Sequence, residues 1–345
     1  MRDAQPKSTV NGQTWKGSMI AQRDLLLLFA LAAMAATSAF GQAPPAASAS
    51  SGALGASPAP DFSGIWSHPS FPGFDPPVSG PGPVVNKSRR PQVNFDGRIL
   101  PPTNNVLVSN PALLVGDYTN PILKPQAAEV VKKKGEMELG GMVGPTPTIQ
   151  CWPEPVPYIF NGVALQMLQQ PDKIVFLYPN DHQVRYVRMN VAHPAQIIPS
   201  WYGDSVGHYE RDTLVIDTVG VKIGPFAMVD FYGTPYTEAL HVVERYQLLD
   251  YETAKEGLER DARENLRPAR GADAGPEPDY SYRGKHLQLR FTVEDEGVFT
   301  MPWSATITYR RGREEWRDVV CAENMRELAI AGRGLAVPTA HKPDF

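Results

Sequence analysis

The segment His286-Leu-Gln-Leu-Arg-Phe-Thr-Val-Glu294 alternates apolar and polar side chains without a break. Successive side chains of a β-strand point to opposite faces, so this spacing predicts a strand with one face toward a core. The segment from Ala305 to Tyr309 repeats the alternation. Further short segments are rich in β-branched and aromatic residues and bounded by turn residues, and they predict strands at 173–178, 184–189, 213–218 and 240–249.

Most of these segments follow one another without an intervening helix, which favours antiparallel pairing over a parallel sheet. The predicted fold class is mainly β, a single antiparallel barrel or sandwich, with a lipocalin- or calycin-like barrel among the options. Before the strands, residues 61 to about 144 are rich in proline and glycine and predict an irregular arm that wraps the core. A few short helices are expected, at 125–135, 252–266 and 322–332.

The N-terminus has the features of an export signal. An apolar run from Leu25 to Ala36 follows Arg23 and is shorter than the roughly 18 residues that span a bilayer. We expect cleavage after Gly41, with Met19 as an alternative start, and therefore a periplasmic or secreted protein. Retention of the run as a membrane anchor is the alternative.

The rest of the chain divides into a linker and one domain. Residues 42–60 are mostly Ala, Ser, Pro and Gly, a composition typical of a flexible linker. Residues 61–345 are predicted to form a single β-rich domain. The charged, helix-prone stretch at 251–285 interrupts the rhythm of the strands and is predicted to be an inserted helix and loop, either a lid or a surface excursion.

Composition limits the classes of partner that the protein is expected to bind. The formal net charge of -4 argues against a nucleic-acid ligand, which requires a basic face. The chain has no polybasic tract, so anionic membrane surfaces are also disfavoured. A small-molecule ligand or substrate is the expected partner, and the oligomeric state is left open.

The chain has two cysteines, Cys151 and Cys321. An even number in an exported protein favours a disulfide bond. A pair of free buried thiols is the alternative, because the sequence fixes no geometry.

Several motifs occur in a fixed order along the chain, and two of them are long. The motifs are Asp61-Phe-Ser-Gly-Ile-Trp66, Cys151-Trp-Pro153, the block at 203–218, Tyr236-Thr-Glu-Ala-Leu-His-Val-Val-Glu-Arg245, Pro302-Trp303 and Cys321-Ala-Glu-Asn324. In this order they resemble an uncharacterised family of exported bacterial proteins with a Gly-x-Ser-[Ile/Val]-Gly-x-[Trp/Tyr]-Glu-x-Asp-Thr-Leu-Val-[Val/Ile]-Asp-Thr block. The resemblance implies export but no reaction and no ligand. The chain departs from the pattern at Tyr209, Arg211 and Tyr236, where the family has tryptophan, glycine and histidine.

Two histidines and one aspartate beside these blocks are the candidate catalytic residues. Histidine titrates near neutral pH, so His193 and His241 are candidates for general acid and base. Asp217 is expected on the same strand face as Tyr209, facing a semi-polar cavity, where it can act as a base or orient a histidine. Structural histidines with satisfied hydrogen bonds are the alternative.

The strand at 240–249 presents His241 and Arg245 on one face, which can line a pocket for an oxygenated ligand. The alternative is that Glu244 and Arg245 each pair with a charge elsewhere in the sheets. The predicted binding residues are Trp201, Asp204, Tyr209 and Arg245.

A serine nucleophile and a metal site were weighed as alternatives. Gly203-Asp-Ser-Val-Gly207 has the spacing of a nucleophile elbow, but no helix is predicted after it, so capping of loop amides by Asp204 and Ser205 is favoured. Histidines do not occur at the spacing of the common metal motifs, and no metal or cofactor is predicted.

These observations favour an exported enzyme that uses general acid and base residues on a small, partly apolar substrate, as a lyase, isomerase, hydratase or hydrolase. The preference for an enzyme rests on the concentration of ionisable residues between 193 and 245. A non-catalytic periplasmic binding protein for a hydrophobic or aromatic ligand is the first alternative, and a structural envelope protein is the second.

Overall fold

Nine strands of the described chain close into a barrel. The computed structural model describes residues 59–69, 73–90, 108–109, 114–140, 142, 144–264, 278–313 and 319–321. The barrel strands are β1 (Gly64–Ser67), β4 (Ala164–Gln169), β5 (Lys173–Tyr178), β6 (Gln183–Met189), β7 (Asp204–Glu210), β8 (Thr213–Val219), β9 (His241–Leu249), β10 (His286–Glu294) and β11 (Trp303–Arg311). Their order around the barrel is β1-β11-β10-β9-β8-β7-β6-β5-β4.

The other described elements lie outside the barrel. Strands β2 (Arg89–Arg90) and β3 (Val108–Ser109) form a separate two-stranded sheet. The helices are α1 (Pro125–Leu139) and α2 (Tyr251–Glu264), and a single 3-10 turn spans Tyr158–Asn161. All of these elements belong to one compact unit, Ala56–Phe345.

Neighbouring barrel strands are antiparallel except for β6 and β7, which pair in parallel through Arg188–Val206 and Met189–Gly207. An odd number of strands cannot alternate direction all the way around a closed ring, so at least one parallel pair is required. Parallel neighbours need a crossover of about a dozen residues, and residues 190–203 provide it. The predicted antiparallel barrel is therefore confirmed with one exception, and closure of the ring decides against the sandwich.

The alternation in β10 is the feature that builds the core. Leu287, Leu289, Phe291 and Val293 are at most 1% exposed, whereas Glu294 on the other face is exposed. Burial of each such side chain stabilises the fold by about 1.5–3 kcal/mol. Large buried aromatic side chains from other strands fill the rest of the interior: Trp66, Phe176, Tyr246, Trp303 and Tyr309.

Inside the barrel, Arg185 of β6 and Glu244 of β9 form an ion pair with fully buried side chains. The two guanidinium nitrogens donate to the two carboxylate oxygens at 2.9 and 2.5 Å. Ser205 and Thr218 also accept hydrogen bonds from the guanidinium. Burial opposes the charge on Arg185, but Glu244 outweighs it, and the pKa of the guanidinium stays above its ordinary value. The alternative in which Glu244 pairs with a charge elsewhere in the sheets is borne out.

Helix α1 begins at Pro125 as predicted but continues four residues past Gly135, to Leu139. Lys134 and Glu138 stabilise this extension through a buried i,i+4 pair at 3.0 Å. Gly135 stays in the helix because Val115 packs against it, where a Cβ would meet the Val115 side chain at 2.9 Å.

Helix α2 confirms the helical part of the predicted insertion, with bounds of Tyr251–Glu264. It covers the outer face of β11, where Arg310 donates a hydrogen bond to the carbonyl of Leu258 at 3.1 Å. Residues 265–277 of the predicted insertion and the predicted helix at 322–332 lie outside the described residues, as do the predicted signal peptide and most of the predicted linker.

Cys151 and Cys321 form a disulfide bond across a sequence separation of 170 residues. The backbone amide of Cys321 also donates to Asp181 at 2.8 Å. The disulfide therefore ties the end of the described chain to the segment before β4, and the hydrogen bond to Asp181 ties it to the β5–β6 turn.

Candidate functional site

Asp217 binds two histidines at once. Its Oδ1 accepts a hydrogen bond from His193 Nε2 at 2.9 Å, and its Oδ2 lies 3.0 Å from His241 Nε2. Asp217 is in β8, His241 begins β9, and His193 lies in the β6–β7 crossover. The three predicted catalytic residues therefore meet in one cluster, although their roles stay predictions.

The cluster lies on the outer face of the barrel. In β8, the side chains of Ile216 and Thr218 point inward and are buried, so Asp217 between them points outward. The expectation that Asp217 shares a face with Tyr209 is wrong. The two-residue turn of the β7–β8 hairpin pairs Tyr209 with Leu214, an inward residue, so Tyr209 faces the opposite way.

Charged neighbours extend the cluster at both ends. His193 Nδ1 lies 2.6 Å from Asp204, and Arg188 donates to both Asp204 oxygens at 2.8 and 2.9 Å. At the other end, His241 Nδ1 lies 3.5 Å from Glu294. Acidic and basic residues alternate along the whole chain of contacts, so each carboxylate has a basic neighbour.

The contacts set the protonation of the central pair. The hydrogen bond from His241 holds the pKa of Asp217 below its ordinary value, against the opposing effect of burial, and the bond from His193 acts in the same direction. The same Asp217–His241 bond raises the pKa of His241. An ionised carboxylate only accepts hydrogen bonds, so Nε2 of His241 carries the proton in this bond.

His241 and His193 differ in their second ring nitrogen. Both nitrogens of His193 are engaged by carboxylates within hydrogen-bonding distance. The 3.5 Å from His241 Nδ1 to Glu294 exceeds the usual 2.7–3.2 Å of an N–H···O bond. His241 Nδ1, with this longer contact to Glu294, is therefore the ring nitrogen of the two histidines that is least engaged by the protein.

His241 and Glu294 line an open cleft of about 440 Å³. The other lining residues are Ala239, Asp295, Glu296, Phe299, Thr300, Met301 and Pro302. Asp295 is buried and engaged by the backbone amides of Thr237 and Gly297, so it holds the wall of the cleft in shape. The cleft is thus lined by both acidic and apolar residues.

Of the predicted binding residues, Asp204 joins the cluster and Arg245 does not. Arg245 shares the outward face of β9 with His241, as predicted, but lies further along the strand and pairs with Glu210 at 2.5 Å. The alternative, in which Arg245 pairs with a charge on a neighbouring element, is borne out.

Trp201 and Tyr209 lie apart from the cleft. Trp201 packs against Trp152, with ring centroids 5.2 Å apart, and lines a small cavity of about 10 Å³. Tyr209 stacks on Phe62 at a centroid distance of 6.4 Å. The register of the β7–β8 hairpin turns Tyr209 inward, and aromatic neighbours enclose Trp201. The structure therefore brings neither ring close to His241.

Ser205 is not placed as a nucleophile. The glycine-flanked segment is a strand and not a loop, because β7 begins at Asp204, and Ser205 therefore points into the barrel. Its hydroxyl accepts hydrogen bonds from Arg185 and lies 2.9 Å from Thr218. The expectation that Ser205 caps loop amides is wrong as well, because strand alternation directs its side chain to the buried ion pair.

Two acidic residues escaped the sequence reasoning. Glu294 occupies a polar position of the alternating β10 segment, so its outward orientation was available from the pattern. Glu154 follows the Cys-x-Pro motif outside any strand, and no periodicity marked it. It is buried at one end of the barrel.

No group of three or more His, Cys, Asp or Glu residues in the described chain is arranged to hold a metal ion. The described residues include no helix with the length and apolar character needed to cross a bilayer. No protein family, curated protein or solved structure matches the chain. The resemblance to a family of exported proteins therefore stays a prediction that rests on the motifs alone.

Proposed function

We propose that the protein is an acid/base enzyme that acts on a small molecule held in the cleft beside His241. The observation that carries the proposal is the contact between Asp217 and His241 Nε2, which leaves His241 Nδ1 at the edge of the cleft. In the proposed reaction Asp217 orients the imidazole, and Nδ1 takes a proton from the substrate or returns one to it.

His193 has a supporting role in this proposal. Its two carboxylate contacts fix its position, and it holds Asp217 from the side opposite His241. We infer that His193 is a positioning residue that keeps the Asp217 carboxylate in the plane required by His241, while Arg188 and Asp204 anchor His193 in turn.

The cleft walls indicate the substrate class. Phe299, Met301 and Pro302 offer apolar contact, while Glu294 and Thr300 accept hydrogen bonds. A partly apolar molecule with hydroxyl or amine donors fits this division. Lyase, isomerase, hydratase and hydrolase reactions all require the proton transfer that one histidine and its aspartate can perform.

The second candidate function is reversible binding of an apolar ligand without a reaction. The exposed side chain of Met301 in the cleft wall favours it, because Met adapts to varied apolar ligands. A purely structural role requires no ligand cleft, and the 440 Å³ cleft is the observation that speaks against it.

We also propose that the protein works outside the cytoplasm, in the periplasm or after secretion. The disulfide between Cys151 and Cys321 supports this location, because such bonds persist in oxidising compartments. The predicted signal peptide at 1–41 agrees with it.

The test is a screen of the purified protein against small substrates for the four reaction classes, followed by single substitutions. His241→Ala and Asp217→Asn should each lower turnover by about 10²- to 10⁴-fold, with an unchanged circular dichroism spectrum. His208→Ala is the matched control, because His208 is exposed on β7 and its hydrogen-bonding partner is Glu210, outside the cluster, so its loss should leave turnover within about twofold.

The outcomes separate the candidates. Turnover that survives His241→Ala would refute the acid/base role of that residue. A ligand that binds in the cleft with no turnover, and with its affinity reduced by Met301→Ala, would favour the binding protein instead.

A further inference from the structure

A second pocket, of about 130 Å³, lies where β4 begins and β5 ends. It shares no lining residue with the cleft beside His241. The lining residues are Thr148, Glu154, Tyr158, Asn161, Gly162, Val163, Ala164, Tyr178, Pro179, Asn180 and Phe231. An apolar cavity of about 150 Å³ is large enough to hold benzene, so this pocket accommodates a molecule of about six heavy atoms or fewer.

The hydroxyl groups nearest Glu154 have their protons committed to neighbouring acceptors. Thr148 donates its hydroxyl proton to Glu154 at 2.7 Å. Thr148 also lies 3.0 Å from the Tyr158 hydroxyl, which must then be the donor, because Thr148 has only one proton to give. The hydroxyl groups nearest Glu154 therefore have no proton left for a ligand.

Asn161 supplies an acceptor without a partner. Its side chain is 3% exposed, and its amide nitrogen donates to the carbonyl of Tyr158 at 2.9 Å. Its Oδ1 atom is buried and has no hydrogen-bond partner in the structure. A buried acceptor left unmatched costs about 1–3 kcal/mol, so a donor in the pocket would remove that cost.

The pocket lining includes an acidic residue but no basic one. None of the lining residues is lysine, arginine or histidine, and Glu154 is buried among them. Burial raises the pKa of Glu154 to about 7, with hydrogen bonds from Thr148 and Asn180 opposing it and Asp181 adding to it. A cation in the pocket would stabilise the ionised carboxylate.

The walls suit an organic cation. The rings of Tyr158 and Phe231 meet edge to face, with centroids 5.3 Å apart, and the Tyr178 ring also lines the pocket. Aromatic faces attract ammonium groups, and the attraction is stronger away from water.

We infer that this pocket binds a small primary ammonium compound, with its nitrogen donating to Asn161 Oδ1 and the Glu154 carboxylate. The binding is independent of the proposed reaction, because the two sites share no residue.

The test is a calorimetric titration of the full-length protein at pH 8 with ethanolamine hydrochloride, which has four heavy atoms. Ethylene glycol is the neutral probe of the same size, and sodium acetate is the anionic one. Ethanolammonium should bind, and the other two should bind at least tenfold more weakly. Absence of ethanolammonium binding, or equal binding of ethylene glycol, overturns the inference.

Two substitutions locate the binding. Glu154→Gln preserves the shape of the side chain and should weaken ethanolammonium binding at least tenfold. Glu294→Gln removes an acidic group from the other cleft and should leave the affinity within about twofold. The inference fails if Glu154→Gln binds as the wild type does, or if Glu294→Gln is the variant that loses binding.

The pH dependence of the wild type decides the matter if Glu154→Gln does not fold. With a pKa of about 7 for Glu154, the affinity should be about tenfold higher at pH 8 than at pH 6. Unchanged affinity over this range overturns the inference.

Other titratable groups near the pocket must be considered in that experiment. The groups that face Glu154 or the pocket walls are His68, Tyr158, Tyr178, Asp181, Arg185, Tyr202 and Asp230. Burial lowers the pKa of His68 to about 4, so it stays neutral over the tested range. Burial raises the pKa of Asp230 to about 6. Its carboxylate is already occupied by hydrogen bonds from the backbone amides of Tyr232 and Thr234.

Discussion

Arg185 and Glu244 are joined across the interior of the barrel, although β7 and β8 separate their strands in the sheet. The pair is fully buried and is surrounded by Ser205, Thr218 and Tyr246, each of which contributes a hydrogen bond to it. The ion pair fills a part of the barrel interior that a polar ligand would otherwise occupy. The candidate sites accordingly lie on the outer face and at one end of the barrel.

Loss of Arg185 should be strongly destabilising. Arg185→Met leaves the Glu244 carboxylate buried without its cation, and we expect the free energy of unfolding to fall by about 3–5 kcal/mol. Tyr186→Ala is the control on the same strand, because Tyr186 points outward and is exposed, so it should cost less than about 0.5 kcal/mol. Urea denaturation measures both. Equal losses of unfolding free energy in the two variants would show that the buried pair stabilises the fold no more than an exposed side chain does.

Asp217→Asn should reduce stability mainly within a middle range of pH. Asp217 has a lowered pKa, so its stabilising contribution is present above the ordinary value of 3.8 and is lost as the pH falls through the lower folded value. His241 has a raised pKa, so its contribution is present below the ordinary 6.5 and is lost as the pH rises through the higher folded value. The two contributions coincide between about 4 and 6.5.

Both side chains are partly exposed, so we expect a difference of about 1 kcal/mol or less between wild type and Asp217→Asn at pH 5, and a smaller one at pH 9. Denaturation curves at the two pH values provide the measurement. If the difference in unfolding free energy between the two proteins is the same at pH 5 and at pH 9, the contact with Asp217 is not coupled to the titration of His241.

Reduction of the disulfide should destabilise the fold. The bond closes a loop with a sequence separation of 170 residues, which corresponds to about 5 kcal/mol in the chain-entropy model. Cys151→Ser, or reduction of the wild type, should therefore lower the urea midpoint, and adding reductant to Cys151→Ser should have no further effect. A midpoint that stays unchanged on reduction would contradict the expectation.

Much of the fold followed from local pattern. The β10 alternation gave both the bounds and the buried face of that strand, because its period of two matches the strand geometry. β5 was also located, through its β-branched and aromatic residues. β4 was not predicted, since Ala164–Gln169 lacks clean alternation and contains no β-branched or aromatic residue.

The site could be predicted only in part. The choice of His193, Asp217 and His241 rested on residue type and nearness in sequence, and the structure does bring them together. The choice of Trp201 and Tyr209 rested on the same grounds, and the structure separates them from the cleft. Nearness in sequence therefore did not decide nearness in space.

The sequence alone determined that this chain is built mainly of short antiparallel strands and which residues of β10 enter the core, because strand periodicity is a local property. Only the tertiary structure decided that Asp217 faces outward and that His193 reaches it, since the first depends on hairpin register and the second on the parallel crossover. It also decided that Glu154 is buried in a pocket lined by no lysine, arginine or histidine. Such contacts join residues far apart in the chain, and no local pattern encodes them.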